Sequence, residues 1–132
     1  MDLSQINYLA VGVAALSSFL IGGVWYSPIL FAKAWMRETG LAEAELGKHV
    51  GRTFAIAFVL SLVIAFNLAA FLGPESDWSW GMTAGVLAAV WVAASMGITF
   101  AFERRSAILT VIDAGYHLVA YAVMGAILGA WH

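Results

Sequence analysis

Asp113, His117 and Tyr121 stand four residues apart inside the last long apolar run, which places a carboxylate, an imidazole and a phenol on one face of a helix. All three groups can take up or release a proton, so such a row could relay protons, or line a pocket for an ion or small solute in which His117 changes protonation. The same residues could instead lock helices together as a buried network. In that case Asn67, Tyr116 or Ser95 would be cross-helix partners, His117 would donate to Asp113, and Arg52, Arg104 or Arg105 would satisfy the outer side of the carboxylate.

Other chemistries find less support. His49 and His132 are expected at opposite membrane faces, so one chain cannot gather its histidines. Asp113 and His117 from two copies would offer four ligands across a two-fold axis, and a haem would need His117 from each copy. No metal or cofactor is assigned. Ser27 has no acid–base partner near it in sequence, and neither a zinc-protease nor a phosphate-loop pattern occurs, so the chain is not expected to be an enzyme.

The elements that must carry this row follow from composition. The chain has 132 residues, 63% hydrophobic and 11% charged, with a mean hydropathy of +0.90. Soluble domains carry about a quarter charged residues, so this is the composition of an integral membrane protein. A net charge of -2 and few basic residues exclude a nucleic-acid surface. The absence of cysteine excludes disulfides and thiolate chemistry.

Four runs, about 8–27, 52–72, 79–102 and 107–131, are each long enough for the roughly 20 helical residues that cross a bilayer. They are continuous rather than alternating, which argues against a β-barrel. The first follows Asp2 and lacks a basic leader, so it is expected to be a retained span. The expected architecture is an all-α bundle of four transmembrane helices in a single membrane domain.

All six Lys and Arg residues fall in the connections between spans one and two or three and four, which predicts that these loops are cytoplasmic and both termini outside. Glu103 would pair with Arg52 or Lys48. Trp25, Tyr26, Ser27, Pro28 and Trp35 look like an interfacial anchor and helix stop, with Trp78, Trp80 and Trp131 at the other surface. In the first connection, Ile29, Leu30, Ala34 and Trp35 interleave with Lys33, Arg37 and Glu38. That pattern predicts a short amphipathic interfacial helix stopped by Gly40, followed by a further solvated turn or two over 41–48.

Small residues recur every fourth position, most regularly as Gly81, Gly85, Ala89, Ala93, Gly97 and Ala101. Such stripes let helix backbones approach where lipid gives no hydrophobic drive to associate. Further small residues on other faces suggest a homo-oligomer, a dimer being the simplest.

With these residues placed, the chain resembles the bacterial membrane family known as domain of unknown function 1761. The resemblance rests on Asn7 and Tyr8, on Gly22 to Phe31 read as GGVWYSPILF with Lys33 and Trp35 after it, on Phe102 to Ser106 and on Gly115 to His117. It departs at Ala32, where the family often has glycine. It implies a small multi-pass protein of the bacterial inner membrane and carries no activity with it. The expected partners are membrane lipids and further copies of the chain. The expected function is a small-solute, ion or proton transporter or channel; the alternative is a non-catalytic accessory subunit of a larger membrane complex.

Overall fold

Each of the four apolar runs forms one uninterrupted helix in the computed structural model, which describes residues 2–132. These are α1 (Tyr8–Trp25), α4 (Val50–Leu72), α5 (Trp78–Phe102) and α6 (Ala107–Ala130), with α2 (Ala32–Thr39) and α3 (Glu43–Leu46) between the first two. All four long helices have the length and apolarity to cross a membrane. Three begin at a polar cap whose side chain accepts a backbone N–H: Asn7 from Ala10 at 3.1 Å, Asp77 from Trp80 at 2.8 Å and Ser106 from Leu109 at 3.1 Å. Each cap satisfies a donor that the first helical turn leaves free.

The chain reverses at the end holding α2, α3 and every Lys and Arg, called the basic end below; Asp2, Glu75 and Asp77 mark the acidic end. Pro28 does not open an extended loop. Phe31 N donates to Trp25 O and Ala32 N to Ser27 O, both at 3.1 Å, so a wound turn runs straight from α1 into α2. Ile29 and Leu30 lie in that turn, exposed, and the amphipathic helix begins only at Ala32. It stops at Gly40, whose φ of 76° is the left-handed conformation that suits glycine. Ala32 is buried, and α2 rests on α6 with Lys33 and Arg37 turned outward. Segment 41–48 contributes the exposed turn of α3.

The centre of the bundle is α6, which packs against α1, α4 and α5, while α4 and α5 scarcely touch. The tightest seam joins α5 and α6, where backbone meets backbone. A methyl group added at Gly81 would overlap the Gly125 carbonyl, one at Gly85 the Tyr121 carbonyl, and one at Gly129 the Asp77 carbonyl. Only the first half of the six-member small stripe serves this seam. Gly81, Gly85 and Ala89 are buried, whereas a Cβ at Gly97 would meet open space and Ala101 is exposed.

Packing is therefore uneven along the membrane normal. The buried residues of α4 are Ala65, Leu68 and Leu72, and those of α5 are Gly81, Ala84, Gly85 and Ala89. All sit toward the acidic end, where they join Ala10, Ala14, Tyr121, Met124 and Leu128 in one core. Toward the basic end both helices turn large apolar side chains outward, Trp91 at 77% and Phe102 at 87% exposure among them.

At the basic end, Glu103 pairs with Arg105 at 2.7 Å rather than with Arg52 or Lys48. Arg104 takes a left-handed φ of 60°, which lets Arg105 N reach back to Phe100 O at 2.9 Å and close α5. At the acidic end Ser4 donates to the Asp2 carboxylate twice, at 3.0 and 2.7 Å, holding Asp2 below the usual carboxylate range. The His132 ring there meets the Ser76 carbonyl.

Candidate functional site

Where α1 ends, it meets α6 at the depth of the polar row. The Trp25 indole N–H donates to Ile112 O at 2.9 Å, and the Tyr26 hydroxyl donates to Asp113 Oδ1 at 2.8 Å. One turn deeper along α6, the Tyr116 hydroxyl donates to Ser18 O at 2.9 Å, and Ser18 in turn shares a 3.2 Å hydroxyl hydrogen bond with Ser61 of α4. Three helices are thus tied through side chains between the basic and acidic ends of the bundle. These bonds matter most where lipid offers no competing partner.

Two glycines let the pieces close. The Trp25 ring covers Gly115 so tightly that a Cβ there would stand 2.9 Å from the indole, and a Cβ at Gly22 would stand 3.3 Å from the Tyr116 ring. The GGVWY stretch of α1 and the DAGYH stretch of α6 are therefore two halves of one interlock. Aromatic rings back it: Tyr26 with Tyr116 at 5.6 Å between centroids, Tyr26 with Trp35 of α2 at 5.9 Å, and Trp25 with Phe31 at 4.8 Å.

His117 lies edge-on to Tyr116 at 5.0 Å and to Tyr121 at 6.1 Å. Among the described residues no hydrogen bond reaches its ring, and no buried side-chain nitrogen or oxygen is left without a partner. It follows that neither ring nitrogen is fully enclosed within the chain. A neutral imidazole carries one donor and one acceptor, so His117 can engage a ligand or a neighbouring chain through either. Asp113, by contrast, is occupied by a neutral phenol donor.

Toward the acidic end the face closes. Tyr121 is buried, and Gly125 and Gly129, which continue the row, press against α5. A cavity of about 390 Å³ does open at that end, between Asp2, Asn7, Phe71, Leu128, Trp131 and His132, and a groove of about 360 Å³ runs along α5 past Trp91, Ser95 and Thr99. Neither is lined by Asp113 or His117.

Asp113, Tyr116, His117 and Tyr121 are thus brought together, but with partners other than those expected from sequence. Asp113 is held by Tyr26, not by His117 or an arginine. Arg52 and Arg104 make no ion pair among the described residues. Asn67 stands apart on the outward face of α4, donating to its own Val63 O at 2.8 Å, and Ser95 is exposed on α5. Ser27 bonds back to Val24 O at 2.7 Å, and Pro28 shapes the turn. The residues that sequence reasoning assigned elsewhere are Trp25, Tyr26 and Trp35, read as interfacial anchors; Ser18 and Ser61 are further members of the cluster. Their signal was present only as polar atoms on helix faces at the depth of Asp113 and Tyr116.

A family model described as protein of unknown function DUF1761 matches residues 9–129. The chain belongs to the DUF1761 family. Both halves of the interlock, and all of the bundle but the first residue of α1 and the last of α6, fall within the matched region. Comparison of this DUF1761 chain with curated proteins and with solved structures finds no match.

Proposed function

We propose that this multi-pass membrane protein is a homo-oligomer whose intramembrane polar site, Asp113 with His117, serves the passage of a small solute, an ion or protons. The observation that carries this reading is the contrast within the site: a carboxyl group held by a phenol hydroxyl, beside a half-buried imidazole with no hydrogen-bond partner in the protein. The Tyr26 hydroxyl is then the closure on the basic side, since its neutral hydrogen bond holds Asp113. The glycine seam is the closure on the other side. On the positive-inside rule the basic end is cytoplasmic, in the inner membrane of a bacterium, and the reading assigns the protein no catalysis.

Reconstituted into liposomes, the native protein is expected to give a pH-dependent flux that Asp113→Asn and His117→Ala alter while assembly is kept. Unchanged flux in well-assembled variants would sink the proposal.

A second reading makes the cluster helix-packing glue in an accessory subunit of a membrane complex. It is favoured by the fact that the hydrogen bonds of the cluster join separate helices and that neither cavity touches Asp113 or His117. Such a subunit should co-purify with a distinct partner in mild detergent, and repeated isolation of the homo-oligomer alone counts against it.

A further inference from the structure

We propose that α4 carries the contact between two copies of this chain, centred on Asn67, whose carboxamide pairs with the same residue of the second copy; this rests on the homo-oligomeric reading above and gives it a face.

Only one side of α4 is used within the chain. Ala65, Leu68 and Leu72 are buried, while Val59, Val63, Asn67 and Phe71, spaced by four on the opposite side, are all exposed. On a membrane-spanning helix such a face ordinarily carries apolar residues alone. Asn67 lies five residues before the end of α4, about 7.5 Å inside it at 1.5 Å per residue.

Nor can the side chain escape to water. Helical side chains lean toward the N-terminus, which for α4 points away from the nearer end and into the span. Asn67 follows this rule, donating from Nδ2 to Val63 O one turn deeper, at 2.8 Å. Its Oδ1 and second N–H find no partner among the described residues. Lipid tails offer none, and an unmet amide in hydrocarbon costs several kcal/mol at the apolar-solvent limit.

The chemistry selects the occupant. A two-fold axis along the membrane normal sets each residue opposite its own copy at equal depth, so a polar group on that axis must satisfy itself. A carboxamide can, because it both donates and accepts; a carboxylate or an ammonium would repel its twin. Val63 and Phe71, one turn to either side, would supply the apolar packing. The exposed side of α5 offers Trp91, Ile98 and Phe102 but no amide, and its hydroxyl groups can return to their own helix carbonyls, so that face suits lipid.

The chain has no cysteine, so single thiols report directly. In liposomes of bacterial phospholipids under mild oxidation, Val63→Cys, which keeps Asn67, is expected to give a covalent dimer and Ile98→Cys none. In a dilution series followed by energy transfer between labelled copies, Asn67→Ala is expected to weaken the dimer about tenfold, the size of one membrane hydrogen bond between helices. Cross-linking through Ile98→Cys but not Val63→Cys would overturn the assigned face and leave the homo-oligomer standing. Single-copy mass with no cross-link at either position would overturn both. Undiminished association of Asn67→Ala would overturn the carboxamide pairing even with α4 at the contact.

Discussion

At the residue scale, the informative pair is Tyr26 and Asp113. The polar row of α6 was legible because spacing by four on an apolar helix leaves few other readings, and its members are indeed neighbours. Their partners were not legible. A Tyr at the end of a span is satisfied equally well by the membrane interface or by a carboxyl on the next helix. Which of the two occurs depends on how α1 crosses α6, and that is set by Gly22 and Gly115 rather than by Tyr26 itself. The hydrogen bond makes a measurable demand. In a double-mutant cycle of Tyr26→Phe and Asp113→Ala, followed by reversible unfolding in mixed micelles, a coupling energy of about 1 kcal/mol is expected, within the range for polar pairs inside membranes. Additive effects would show that hydroxyl and carboxyl do not support one another.

At the element scale, the regular stripe of α5 promised a helix-packing face along its full length, and half of that face is used. Spacing identifies a surface on which backbones can approach. It does not tell where the close contact ends: Gly81, Gly85 and Ala89 are buried, whereas a Cβ at Gly97 would meet nothing within 4 Å and Trp91 and Phe102 on that half point outward. Glycines of identical spacing should therefore respond differently to one methyl group. Gly85→Ala drives a Cβ into the Tyr121 carbonyl, a backbone atom that cannot rotate away, and is expected to cost about 1–3 kcal/mol as overpacking. Gly97→Ala meets nothing and should be neutral or gain about 1 kcal/mol from helix propensity. Equal losses for the two substitutions, measured as unfolding midpoints in the same detergent, would mean that the seam extends farther than the contacts indicate.

At the scale of the whole molecule, chain order, four spans and the short helices between them could all be read from apolar runs and charge placement, with boundaries within two or three residues. The unequal packing of the two ends could not, because it arises from pairings among helices distant in sequence. Under the proposed orientation, with the basic end cytoplasmic, the loosely packed half of α4 and α5 and the Tyr26–Asp113 bond would face the cell interior and the glycine seam would face outward. Six basic residues on one side and none in the exposed segments of the other give that orientation its physical basis. Single thiols test it, since the chain supplies no background cysteine. In intact cells a membrane-impermeant maleimide should label Glu75→Cys, in the α4–α5 connection at the acidic end, and should reach Gly47→Cys, beyond α3, only after permeabilisation. The reverse pattern would turn the molecule over and make the Tyr26–Asp113 bond an outer closure. Labelling of both positions in intact cells would point to copies inserted both ways, and then the two-fold axis along the membrane normal would no longer relate all copies.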